Sequence, residues 1–119
     1  MKYIEPTERV IIESPFSASD EAGLTRNLRY LRACMRDCFR RGEAPYASHA
    51  LYTQEGVLDD EDPDERLMGI QGGFLWAEGI MKRVFYMDLG MSRGMEYGLV
   101  DAKKRGQDIE QRHLPGWEG

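Results

Sequence analysis

The residues of this 119-residue chain with the most chemical potential lie in one stretch, Asp88-Leu89-Gly90-Met91-Ser92-Arg93-Gly94-Met95-Glu96-Tyr97-Gly98-Leu99, directly after the apolar run Val84-Phe85-Tyr86-Met87. Asp88 and Glu96 are candidate catalytic carboxyls, because cleavage of a glycosidic bond calls for two acidic groups that cooperate across the bond. Each also has a plain structural reading: Asp88 steadies a turn, and Glu96 sits in the first turn of a helix, where the dipole favours a negative charge. The turn itself offers a second chemistry. A buried strand that ends, passes through Gly and Ser and starts a helix leaves N–H groups free at the carboxyl edge of a sheet, which favours an anion such as phosphate. Ser92, Gly94, Met95, Glu96 and Tyr97 are therefore candidate ligand contacts.

The elements that must position this turn follow from periodicity. Val10-Ile11-Ile12 predicts a short buried strand, followed by the loop Glu13-Ser14-Pro15-Phe16-Ser17 and a helix capped by Ser19 or Asp20. Asp20 through Arg41 carries Leu24, Leu28, Leu31 and Met35 at helical intervals, and Gly42 ends it. Pro45 to Ser48 predicts a second strand. A helix from Asp62 follows, with Pro63 at its first position and Glu65 closing an Asp-x-x-Glu capping box. The helix after Ser92 runs to Arg105 and stops at Gly106, and Ile109–Leu114 predicts a last strand. This alternation predicts one α/β domain over residues 1–119: a small three-layer sandwich around a mainly parallel sheet of four or five strands, in the flavodoxin- or Rossmann-like order 2-1-3-4. Its topological switch point lies between the first and third strands, where the Ser14 loop and the Ser92 turn converge.

The pattern Ser92-x-Gly94-Met95-x-Tyr97-Gly98-Leu99-x-x-Ala102 resembles the active-site turn of the nucleoside 2-deoxyribosyltransferase-like superfamily. Ser14-Pro15-Phe16 in the first loop, Asn27, the segment Ala44-Pro45-Tyr46-Ala47-Ser48-His49 and Arg66 extend the resemblance over roughly Val10 to His113. It implies a pocket for a nucleotide or nucleoside-like small molecule, contacted by Ser14, Pro15, Phe16, Ser17, Asn27, His49, Arg66 and the turn residues. In that superfamily the catalytic nucleophile is a glutamate at the position held here by Gly98, so the resemblance implies the pocket without its glycosyl-transfer carboxylate. Short relatives occur in phages, which suggests an anti-defence role in sequestering a nucleotide immune signal.

Composition narrows the remaining classes. Sixteen basic and twenty-one acidic residues give a net charge of −5, which opposes binding to a nucleic-acid polymer. The amino end lacks a signal-peptide pattern and no apolar run reaches about 18 residues, so the expectation is a cytoplasmic protein with no membrane partner. Cys34 and Cys38 share one helix face and have no further ligands beside them, which predicts two buried thiols, no disulfide and no metal site; no cofactor is expected. The acidic stretch Asp59 to Glu65 lacks the spacing of a calcium loop and reads as a solvated loop or a lid.

Several side chains keep two readings. His49 is a ligand contact or a structural imidazole, Arg66 an anion contact or the partner of neighbouring acids, Trp76 an interface anchor or a core aromatic, and Trp117 a clamp or a plug. Gly72 and Gly73 inside a helix predict close approach of another backbone or subunit, in keeping with a homo-oligomer. Three functions compete: a nucleotide-binding protein, an N-glycosidase or transferase using Asp88 and Glu96, and a protein-interaction module whose pocket is filled by Met91, Met95 and Tyr97.

Overall fold

A computed structural model describes residues 1–118. Its elements are β1 (Glu8–Glu13), α1 (Glu21–Arg40), β2 (Glu43–Tyr46), α2 (Ser48–Leu51), α3 (Pro63–Trp76), β3 (Lys82–Tyr86), α4 (Arg93–Arg105) and β4 (Asp108–Arg112). The four strands are all parallel, in the order β2-β1-β3-β4, so the switch point falls between β1 and β3 as expected. Alternation along the strands assigns the two faces. Val10, Ile12, Val84 and Tyr86 pack under α1 with Tyr30, Leu31, Cys34 and Cys38, while Ile11 meets Ala77 and Ile80 at the end of α3 on the opposite face.

Local signals set the helix ends. Asp20 caps α1 by accepting from Gly23 N, and Asp62 caps α3 by accepting from Asp64 N and Glu65 N. Glu65 does not complete the expected capping box, because its carboxylate accepts from Asp59 N and so folds the acidic loop back on the helix. The buried face of α1 also differs from its leucine stripe. Asn27, Tyr30, Leu31, Cys34, Asp37 and Cys38 are buried, and Leu24 and Leu28 are only partly so, because polar groups on the buried face find partners across the sheet. Both cysteines are free thiols, raised by burial well above the ordinary thiol range, to about 11 for Cys38.

The second strand begins at Glu43, and Ser48 starts α2 where an extension of that strand was expected. The glycines of α3 receive this short helix. A Cβ at Gly73 would lie 2.7 Å from Ser48 Cβ, and one at Gly72 would lie 3.3 Å from the Tyr52 ring, so the close approach is made within the chain. Trp76 is 61% exposed and tilted against Tyr46, which removes the core-aromatic reading. Trp117 packs edge-on against Tyr30 at 4.9 Å, a plug over the α1 core. No helix among the described residues is long and apolar enough to cross a membrane.

Candidate functional site

The carboxyl ends of β1 and β3 open onto a cleft of about 310 Å³ lined by Glu13, Ser14, Phe16, Ser17, Ser48, His49, Asp60, Arg66, Ile70, Ser92, Arg93 and Gly94. Phe16, Ser17, Asp60 and Arg66 also line a neighbouring chamber of about 920 Å³ walled by Leu24 and the 53–61 loop. Ser17 donates to Asp60 at 3.2 Å across their shared rim.

The α4 end of the cleft is built by a cap. Ser92 Oγ accepts from Met95 N at 3.2 Å and Ser92 O accepts from Glu96 N at 3.0 Å. The N–H groups of Arg93 and Gly94, which no intrahelical acceptor can reach, are left at the cleft. Arg66 projects from the first turns of α3, and among the described residues no carboxylate lies within 4.0 Å of it or of Arg93. The ion pair weighed for Arg66 is thus not formed. Two uncommitted guanidinium groups and a helix N-terminus face one volume, an arrangement suited to an anion.

The opposite wall comes from β1 and α2. Ser14, 5% exposed, lies 2.8 Å from His49 Nε2, and burial pushes the imidazole down to about 4, so the ring is neutral at physiological pH. Phe16 meets His49 edge-on at 6.4 Å.

The other expected contacts lie elsewhere. Asn27 is buried behind the first loop, where Nδ2 donates to Phe16 O at 2.9 Å and Ser17 O at 3.3 Å, so it shapes the loop and leaves the ligand space to others. Pro15 lines a separate hollow beside Asn27 and Leu89. Asp88 accepts from the Tyr30 hydroxyl at 2.5 Å and Leu114 N at 2.9 Å, which turns its carboxylate to the α1 side, where it ties the end of β3 to α1 and to the segment after β4. Met95 is buried beneath α4, Glu96 is exposed and Tyr97 is 54% exposed on the outer side of the helix. Asp88 and Glu96 therefore do not flank a common volume, and Met91, Met95 and Tyr97 do not fill the cleft.

Glu13 and Asp60 are the cleft carboxyls missing from the sequence-based set, and Glu13 is the one that closes a strand. Its side chain points to the α4 face of β1, 16% exposed, and Arg83 Nη1 donates to Oε2 at 3.3 Å. Arg83 is itself buried and commits its shorter bonds to Asp101 at 2.7 Å and Gly98 O at 2.9 Å. Burial raises the Glu13 carboxyl to about 7, against the lowering effect of Arg83. Its signal in the sequence is an acidic residue closing a buried strand at the switch point.

Glu13 and His49 give stability opposite pH dependences. The Glu13 value of about 7 lies above the ordinary 4.5, so its contribution is present at low pH and is lost as pH rises through about 7. The His49 value of about 4 lies below 6.5, so its contribution is present above 6.5 and is lost as pH falls to about 4. Between pH 4.5 and 6.5 the two slopes oppose. Thermal melts of Glu13→Gln should therefore show Tm climbing with pH more steeply than in the wild type, and His49→Asn the reverse; parallel curves for all three proteins would refute the assignment.

The sequence profile of a family described as Domain of unknown function (DUF7768) matches residues 8–112. No curated protein and no solved structure matches the chain.

Proposed function

Because the chain belongs to the DUF7768 family, and the matched span contains every cleft residue, we propose that the cleft is the ligand site of this family domain and binds a nucleotide-derived small molecule. The observation that carries the reading is the convergence of Arg66, Arg93 and the α4 N-terminus on one cleft, with no carboxylate among the described residues within 4.0 Å of either guanidinium group. Phosphate sits there, held by the free N–H groups and the two guanidinium groups. The hydroxyls of Ser14, Ser17 and Ser48 supply sugar contacts, and Phe16 offers an aromatic face to a base directed into the chamber. The cleft volume of about 310 Å³ falls within the range of small-molecule sites, roughly 300–1,000 Å³.

Calorimetric titration with nucleoside 5′-monophosphates tests this directly. Gly94→Val is the informative variant, since a Cβ there meets nothing closer than Ser92 Oγ at 3.9 Å and the fold accommodates it. Its branches stand beside the N–H groups that seat the phosphate, and at least a tenfold weaker Kd is expected, about 1.4 kcal/mol. Unchanged affinity in the folded variant would remove the turn from the site.

Self-association belongs to the same proposal. Leu75, Trp76 and Met81 are 67%, 61% and 72% exposed, and Trp76 borders a groove of about 420 Å³ with Tyr46 and Ile80. An apolar group of this kind fits a contact between copies. Light scattering should give a mass above 13.7 kDa that falls to the monomer value in Trp76→Glu; a wild-type monomer at micromolar concentration would overturn the association.

A further inference from the structure

The outer face of α1 carries Arg26, Arg29, Arg32, Arg36 and Arg40, all exposed. At 3.6 residues per turn the five fall within about 120° of the helix surface, and at 1.5 Å per residue they span about 21 Å of its length. Among the described residues none of them lies within 4.0 Å of a carboxylate. The helix has only two carboxylates of its own, Glu21 in its first turn and Asp37, which is buried and accepts from Tyr86 and Arg41. Arg29 rests over the Trp117 ring at 5.5 Å and stays exposed.

Such a row works against the isolated helix. Side chains three or four positions apart are neighbours, and a face kept only for solubility intersperses both signs so that these neighbours attract. Here the neighbours are Arg26 with Arg29, Arg29 with Arg32, Arg32 with Arg36 and Arg36 with Arg40, and every pair repels. A polyanion laid along the row removes that repulsion. We propose that this face of α1 binds the phosphate backbone of duplex DNA without regard to base sequence.

Charge and shape select that partner. A guanidinium fork takes phosphate oxygens in pairs, and the phosphates of one strand follow each other every 3.4 Å or so along the duplex axis, so the row matches about six of them. Besides Glu21, the other exposed side chains of α1 are Ala22, Thr25 and Phe39. That set has one hydroxyl and no amide, which suits contact with the backbone and gives little means to read base edges or a series of 2′-hydroxyls. The net charge of −5 conceals this segregation. The acidic 59–61 loop meets α1 at Leu24, a flank turned about 200° from Arg26, and Glu78 and Asp101 stand on the α3 and α4 side of the sheet. At physiological ionic strength charges are screened beyond about 8 Å, a short distance in a molecule of 39 × 33 × 25 Å.

Fluorescence anisotropy of the full chain with a labelled duplex of about 20 bp tests the proposal. Binding should weaken as salt rises from about 50 to 200 mM, with log K falling on log[salt] at a slope of about −4, the value for counter-ion release from about four to five phosphates. A duplex of unrelated sequence should bind within about threefold. Arg32→Gln with Arg36→Gln removes two side chains that leave no carboxylate unpaired, so Tm should hold while binding at the lower salt weakens at least tenfold and the slope flattens by about 2. Arg32→Lys with Arg36→Lys keeps the charge and should keep the slope. No binding at about 50 mM salt, or unchanged binding by the folded glutamine variant, would overturn the proposal. Tighter binding to duplex RNA of the same sequence, or stronger competition by poly-glutamate than by unlabelled duplex, would overturn the assignment to DNA and give the face to RNA or to an acidic protein.

Discussion

Arg112→Met should lower the unfolding free energy by about 3–5 kcal/mol, the scale on which breaking one side of a buried ion pair destabilises a protein. Arg112, on β4, is 5% exposed and bonds Glu43 of β2 through both terminal nitrogens at 2.7 Å. The contact joins the two outer strands of the sheet. Around it, Arg112 also donates to Glu110 and to Tyr86 Oη at 3.3 Å, and Tyr86 in turn donates to Asp37 at 2.7 Å. Removing the guanidinium leaves Glu43, 4% exposed, as a buried carboxylate with, among the described residues, only the Lys82 ammonium at 3.9 Å to offset it. Urea unfolding should show the loss, and the double variant Arg112→Met with Glu43→Leu should recover part of it, because no charge then remains buried alone. A single variant as stable as the wild type would show that the network contributes nothing to the fold.

Loss of both cleft arginines should have the largest effect on binding. Arg66→Ala and Arg93→Ala are each expected to weaken a nucleoside 5′-monophosphate at least tenfold, and together at least 100-fold, about 2.8 kcal/mol. The prediction is clean because neither guanidinium is within 4.0 Å of a carboxylate among the described residues, so their removal leaves no orphaned internal charge and should scarcely move Tm. Wild-type affinity should also fall with added salt, and the double variant should lose most of that dependence. Calorimetric titrations at two ionic strengths decide the matter; unchanged affinity in the folded double variant would place the phosphate elsewhere.

What the sequence determined by itself is what short-range physics controls. The helix starts at Asp20, Asp62 and Ser92 each depend on a side chain reaching N–H groups two or three residues ahead, and those signals are complete within a few letters. The end of α4 depends on Gly106 adopting φ 68°, which its own lack of a side chain permits. Alternating short apolar strands and helices then leave few topologies, because parallel strands need right-handed crossovers, and the order β2-β1-β3-β4 with its switch point follows.

Tertiary structure decided which strand-end carboxyl faces the cleft. Asp88 and Glu13 both stand at strand ends, and nothing nearby in sequence separates them. Tyr30 on α1 captures Asp88, while the empty side of Gly98 on α4 receives Glu13, and both partners are brought in by long-range packing. The environment of Glu13 is likewise set by Arg83 and Asp101, whose shared bond exists only once β3 and α4 have docked. A sequence lists the acids along a chain; which of them is buried, paired or left facing a ligand depends on the space that distant elements leave around each one.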